Sequence, residues 1–496
     1  MRIAVVGGGP GGLFLATLLR RADPGFEVTV FERNRADDTF GFGVVFSDRT
    51  LAGIHAADPV LREALERHGR HWDEIEVRLK GERIRCGGNG MAAIARRTLL
   101  TLLQRRARDA GAELRFRHEV DLPLPDGFDL VVAADGTGSR IRERLADRLR
   151  PSVHTAAAKF IWFGTDYMFD GLTFVHERSP HGVFAVHGYP ISEDVSTFIV
   201  ETDEASWRAA GLEAFDTGQP PGPSDLASKE YLEALFAEQI DGGRLLVNNS
   251  RWGNFRTRRT ERWWTCEPRP VALLGDAVHT AHFSVGSGTK MAMEDAVALS
   301  SALVAHPDDL PTALAAYQDA AQPSVAAIQD SAGPSLSWWE HFGRYHNAFE
   351  PWQFAFHFLS RSITDARLSR RAPAFVRATH EAWRARHGAE PLDSPLLVNG
   401  RELPGRLVLD EPPGTVRVCA PPDEVGLVVA RERLAAAVSG GATVVAVHGG
   451  TPLTRTLLAE EARLVHGVPS MLVDEDLDTD RAVTAVLSGR ADLVAR

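Results

Sequence analysis

Apolar runs broken by glycine clusters open the chain. RIAVV, Arg2 to Val6, predicts a buried parallel strand. GGGPGG follows, then LFLATLLRRA, whose spacing predicts a helix, then a second strand, EVTVF, running into Glu32. Ile94 to Leu114 contains an amphipathic helix that starts with Arg96 and Arg97. FDLVVAADGTGSRIRERL reads as a strand ending at Asp135-Gly136, and RPVALLGDAVH as another ending at Gly275-Asp276. Between about 150 and 260 the pattern changes. KFIWFGTD, LTFVHER, GVFAVHGYP and STFIVET predict short strands of an antiparallel sheet. Ser335 to Arg361 reads as one helix rich in Trp and Phe, placed in the core; a pocket wall and a self-association surface are its other readings.

Strand, Gly7-x-Gly9-x-x-Gly12, helix, strand, acid is the order of a dinucleotide site. Gly7 allows the tight turn, Gly9 lets backbone approach a pyrophosphate, and Gly12 lets helix pack on strand. The helix N-terminus offers N–H groups to phosphate. Glu32, 20 residues after Gly12, is placed for ribose hydroxyls. The motif alone does not separate NAD from FAD. Arg96 reads equally as a phosphate ligand or a solvated basic turn. Asp135, at a strand end, fits a second approach to the dinucleotide, followed in register by Ser139 and Arg142. Asp276 is placed to hold a ribityl or ribose hydroxyl. Gly286 and Gly288 let backbone lie beneath a flat ring, and a helix from about Thr289 points its N-terminus at that ring, favouring an anionic reduced flavin. His187 and Tyr189 are two apart, hence on one face of a strand. Either is placed to hydrogen-bond and help deprotonate a ring hydroxyl; the alternative is two ordinary sheet residues. His279 is read as structural.

Composition narrows the class. The chain has 496 residues, is 44% hydrophobic and carries a net charge of -11, which argues against nucleic-acid binding. Its three cysteines lie far apart, with neither disulfide nor metal spacing, as suits a reducing cytoplasm. No signal peptide, membrane span or metal site is expected.

The ordered triple of Gly7-x-Gly9-x-x-Gly12 with Glu32, Asp135-Gly136 and Gly275-Asp276 resembles the single-component FAD-dependent aromatic hydroxylases, the group that includes para-hydroxybenzoate hydroxylase. The similarity spans roughly residues 1 to 385. GFGVVFSD (Gly41 to Asp48), HGYPISEDVSTFIVET (His187 to Thr202) and HFSVGSGTKMAMEDA (His282 to Ala296) are most similar to the branch of salicylyl-CoA 5-hydroxylases and anthraniloyl-CoA monooxygenases. The resemblance implies that Gly7, Gly9, Gly12, Glu32, Arg33 and Arg96 hold the ADP part of FAD. It implies Gly43 and Val44 beside the isoalloxazine, Asp135 and Asp276 on the central portion, and Gly286, Gly288, Thr289 and Lys290 along the ring. Phe283 and Lys290 stand where the wider group carries Pro and Asn, and are branch features. Phe283 is read as a wall of the flavin's reactive face or as plain packing. Lys290 is read as facing flavin or substrate, or as a solvated lysine.

The implied fold is α/β: a Rossmann-like FAD-binding domain (1–155 and 260–385, with a helical extension), an inserted antiparallel substrate-binding sheet (156–259) and a small C-terminal α/β domain (390–496). The C-terminal residues resemble the first strand and last units of an old-yellow-enzyme barrel. About 105 residues are too few to close one, so a remnant without FMN is expected, serving packing or oligomerisation. The implied chemistry is hydroxylation of a hydroxy- or amino-substituted ring, using FAD, NADH or NADPH and O2 through a flavin C4a-hydroperoxide. The substrate is either an aryl-CoA thioester or a free phenol or hydroxypyridine of biosynthesis. The rival classes are a halogenase or reductase, and a non-catalytic FAD-binding protein; a homo-oligomer is compatible with each. The Trp-x-Trp-x-Ile-Pro stretch of halogenases is not found.

Overall fold

The apolar runs of the sequence pair into a six-stranded sheet. A computed structural model describes residues 1–39, 41–47, 51–120, 126–215 and 222–496; Asp48, the last residue of GFGVVFSD, lies outside them. The sheet runs, edge to edge, Trp264–Thr265, Val271–Leu273, Leu130–Ala133, Arg2–Val6, Glu27–Glu32 and Glu113–Phe116. All neighbours are parallel except the first pair. Ile3, Val5, Leu130 and Val132 are fully buried, as the continuous apolar runs require of a sheet covered on both faces. Helices Pro10–Ala22, Arg96–Asp109 and Gly288–Ala305 pack in this unit's core through Leu13, Leu99 and Leu299, among others. The strands' carboxyl ends carry the Gly7, Asp135 and Gly275 turns, which is where open α/β sheets place ligands.

The inserted sheet has Leu245–Leu246, Pro151–Thr165, Ser196–Thr202, Gly182–Pro190 and Leu172–Ser179 in that spatial order, with Gly253–Thr260 also paired to Pro151–Thr165. Alternation sorts its side chains into two populations. Ile161, Phe163, Val175, Phe184, Val186, Phe198 and Val200 pack with Leu212, Leu232 and Phe236 into a core of their own. The opposite face carries Phe160, Trp162, Phe174, His187, Tyr189 and Glu201.

Two compact units divide the chain, residues 1–75 with 89–340, and 76–88 with 341–496. The helix read over Ser335–Arg361 is two, Leu310–Ala348 and Pro351–Leu359. Pro351 disfavours helix in the residue before it and sits at the first helical position of the next element. The second unit contains an open, all-parallel sheet of Leu407–Val408, Leu493–Ala495, Ser470–Val473, Val444–His448 and Thr415–Cys419. Within this unit Glu460 is buried and accepts from His357 (3.0 Å), Tyr345 and Arg344 (3.3 Å). Asp474, one of the acids at the end of Ser470–Val473, is paired with Arg455 at 2.6 Å.

Candidate active site

Gly7 has φ +117°, and a Cβ there would lie 2.1 Å from the Ala134 carbonyl oxygen. A Cβ on Gly12 would lie 2.3 Å from the Gly7 carbonyl oxygen. Both positions need glycine to close turn, helix and strand on one another. Gly9 differs: nothing described lies within 4 Å of its Cβ position, so space is left in front of the helix. A Cβ on Gly11 would meet Leu274 at 2.5 Å and the Ala292 carbonyl oxygen at 2.9 Å. Glu32 accepts from the Gly8 N–H at 2.8 Å and from Asn34, which fixes its carboxylate at the strand end; Arg33 beside it is exposed.

The two acid turns are tied together by buried Arg142. Its guanidinium donates to the carbonyls of Thr137 (2.9 Å) and Ala277 (3.0 Å). Burial raises the pKa of Asp135, and its Oδ1 is a buried oxygen without a partner among the described residues. Burial likewise raises Asp276, with His279, Arg96 and Arg258 near enough to oppose the shift. Arg96 is thus brought to Asp276 and Tyr189, its own pKa lowered by burial. Beneath the turn, Asp295 accepts from the Gly275 N–H at 2.9 Å and pairs with His279 at 2.8 Å. Nothing in the sequence pattern marks Asp295, which stands within the helix read from about Thr289.

Gly286 has φ +61°, and its Cβ position approaches Val45 at 3.3 Å, so the glycine loop lies on strand Gly43–Ser47. A Cβ on Gly43 would meet Ile191 at 2.2 Å and Thr197 at 2.8 Å, and Val44 is buried beside it. Gly288 opens the following helix with open space at its Cβ position, and Thr289 is half-buried. Lys290 is paired with Glu294 at 2.7 Å, one turn along the helix. Phe283 sits among aromatic rings, with centroids 5.1 Å from Phe160, 5.5 Å from His187, 6.0 Å from Trp162 and 6.0 Å from Phe255. His187 and Tyr189 are buried on the same face of their strand. Tyr189 stacks on Trp72, and burial pushes its phenol up to about 12. His187 lies 2.6 Å from Glu201.

A glycine turn with open space before it, an orphaned carboxylate oxygen at Asp135 and a second buried acid at Asp276 fit the diphosphate and polyol of FAD. The aromatic face above the Gly286 loop fits a flat substrate ring. Fold and site together define an FAD-dependent aromatic monooxygenase.

Comparison with known proteins gives the same class. A family model described as an FAD binding domain matches residues 1–126 and 128–332. A salicyloyl-CoA 5-hydroxylase from a Streptomyces species is 56% identical, covering 100% of this chain and 99% of its own. The 3-hydroxy-4-methyl-anthranilyl-[aryl-carrier protein] 5-monooxygenase of Streptosporangium sibiricum is 38% identical over 62% of this chain and 80% of its own. A crystal structure of a 2-methyl-3-hydroxypyridine-5-carboxylic acid oxygenase variant superimposes with a TM-score of 0.55. It covers 73% of this chain and 98% of that one, and at 21% identity it shows the fold alone. The chain belongs to the FAD-binding-domain family and is an FAD- and NAD(P)H-dependent hydroxylase of electron-rich aromatic rings. No described helix is long and apolar enough to cross a membrane.

Proposed function

We propose that the substrate is salicyloyl-CoA, hydroxylated at ring position 5, and that His187 is the base that takes the proton of its ring hydroxyl. The 56% identity over the whole length of a salicyloyl-CoA 5-hydroxylase carries this reading. The carrier-linked anthranilyl 5-monooxygenase supports it, since that relative also oxidises a carrier-held aromatic acid at position 5. Of the two candidates for the base, His187 is favoured. A phenol at about 12 stays protonated at neutral pH, so Tyr189 acts as a hydrogen-bond donor there.

Bound FAD supplies the activation of O2. Gly7, Gly9, Gly12, Glu32, Arg33 and Arg96 would hold its adenosine diphosphate half, Asp135 and Asp276 its middle, and Gly43, Val44 and the Gly286–Lys290 loop its ring. Phe283, Phe160 and Trp162 exclude water and orient the substrate ring, and His187 makes that ring electron-rich by removing its proton. The three free cysteines accord with a cytoplasmic enzyme.

The test is NADH and NADPH oxidation in air with salicyloyl-CoA, anthraniloyl-CoA and free salicylate, with product masses and the hydroxylated position recorded. Salicyloyl-CoA is expected to stimulate oxidation and gain one oxygen at position 5. Turnover of free salicylate alone would exclude the thioester reading.

A further inference from the structure

The inner face of the inserted sheet buries a carboxylate between two imidazoles. Glu201 is 1% exposed. Its Oε2 lies 2.6 Å from His187 Nε2, and its Oε1 lies 3.3 Å from His282 Nε2. On its far side His282 Nδ1 lies 2.7 Å from Ser284 Oγ and accepts the Ser284 backbone N–H at 3.4 Å. Ser284 Oγ is in turn 2.8 Å from Ser335 Oγ. The line therefore runs from the substrate sheet, through the loop that carries Phe283, to the helix Leu310–Ala348.

Hydrogen-bond logic assigns the protons. Nδ1 of His282 accepts from backbone, so its proton sits on Nε2, which faces Glu201 Oε1 at 3.3 Å. His187 turns its Nε2 toward the other carboxylate oxygen at 2.6 Å, and a proton held on that nitrogen by the carboxylate's charge puts the basic lone pair on Nδ1. Burial alone would raise the Glu201 carboxyl, but His282 and His187 outweigh it and hold it at about 2. An isolated carboxylate so buried is strongly unfavourable. Among the described residues, the other ionisable side chains on this face of the sheet near His187 are Tyr189, two residues along, and His176 on the neighbouring strand. Phe174 and Trp339 pack against the His187 ring at 5.0 and 4.3 Å.

We propose that Glu201 is a positioning residue for the hydroxylation, fixing the tautomer of His187 and stabilising the imidazolium formed when His187 takes the substrate's proton. His282 anchors that carboxylate to the flavin loop. In the step, the substrate O–H bond breaks and an N–H bond forms at His187 Nδ1. The electron pair stays on the ring oxygen, and nothing is oxidised or reduced. The inference rests on the reading of His187 as the base.

The experiment measures kcat/KM against pH and flavin content, with salicyloyl-CoA as probe, for the wild-type holoenzyme, H187Q, E201Q and the double variant. E201Q is expected to lower the plateau by about 10- to 100-fold. It is also expected to move the acid limb to lower pH, because an imidazolium without its carboxylate is a stronger acid. The double variant should be no worse than H187Q. An acid limb unmoved in E201Q, or losses that add in the double variant, would overturn the role of Glu201. An H187Q enzyme with the wild-type rate and limb would instead overturn the reading of His187, and with it this inference. If E201Q sheds its flavin, E201D decides. A wild-type limb with a lowered plateau supports positioning, and wild-type values of both overturn it.

Discussion

Asp295 holds His279 from beneath the Gly-Asp turn, with Oδ2 2.8 Å from the imidazole Nε2 and both side chains buried. Burial lowers the pKa of His279, yet Asp295 outweighs it and the net shift is upward from 6.5. A raised folded value means stabilisation that is complete below about 6.5 and fades as pH rises through the folded pKa. D295N should therefore lower stability by about 3–5 kcal/mol at pH 6 and by less at pH 9. Thermal melts of both proteins across that range, with flavin release followed by fluorescence, check the sign.

Gly7 and Gly9 differ in kind although they share a motif. G7A forces a Cβ against the Ala134 carbonyl at a positive φ, and should cost roughly 2–5 kcal/mol in the apoprotein itself. G9A meets nothing described, and Gly9 has φ -76° and ψ 177°, which alanine adopts. Its apoprotein should unfold within ~0.5 kcal/mol of wild type, while its FAD dissociation constant rises about tenfold or more, or ~1.4 kcal/mol per tenfold. Urea melts of apoprotein and flavin-fluorescence titrations separate the two effects.

Phe283 touches rings on both the sheet and its own loop. F283A opens that wall to water, so NAD(P)H oxidation should continue while less of it ends in product. The ratio of hydroxylated product to NAD(P)H consumed is expected to fall by about twofold or more, with hydrogen peroxide as the balance. Stoichiometry, rather than rate, is the readout.

The buried cluster around Glu460 should make the second unit acid-sensitive. Burial alone would raise the Glu460 carboxyl, but the hydrogen bond from His357 and the charges around it bring it down to about 2. Burial, with Arg490 nearby, lowers His357 to about 4. Both are depressed folded values, so both contributions are present at neutral pH and lost on acidification. The His357 part goes between about 6.5 and 4, and the Glu460 part between about 4.5 and 2. E460Q should cost about 3–5 kcal/mol at pH 7, and H357Q should flatten the stability curve between pH 6.5 and 4. Urea unfolding monitored by near-UV circular dichroism at each pH tests both.

What the sequence disclosed was local. Arg2–Val6, the Gly7 turn, Glu32, Asp135 and Asp276 are legible because apolar runs, glycines and acids follow one another along the chain. The strands of the inserted sheet are legible for the same reason. Glu201 is not, because both faces of that sheet are buried and a single acid in STFIVET carries no sign of which face it joins. Its meaning depends on His282, which lies in a loop beyond the whole sheet. Asp295 is hidden for a related reason, since only tertiary packing brings a carboxylate inside a helix against the Gly275 turn. The division of residues 335–361 into two helices is marked in the sequence by Pro351, which disfavours helix in the residue before it.

Arg142 couples the loop after Leu130–Ala133 to the loop after Val271–Leu273, and those two strands lie side by side. The strands of the inserted sheet that run from Pro151 to Thr260 are made between them. While a ribosome is still translating that sheet, the growing polypeptide already holds the Gly7 turn and Asp135, but the neighbour of Leu130–Ala133 has not yet been synthesised. The two acid turns are therefore joined late in the life of the nascent chain, and until then Leu130–Ala133 keeps an open edge that Val271–Leu273 comes to cover.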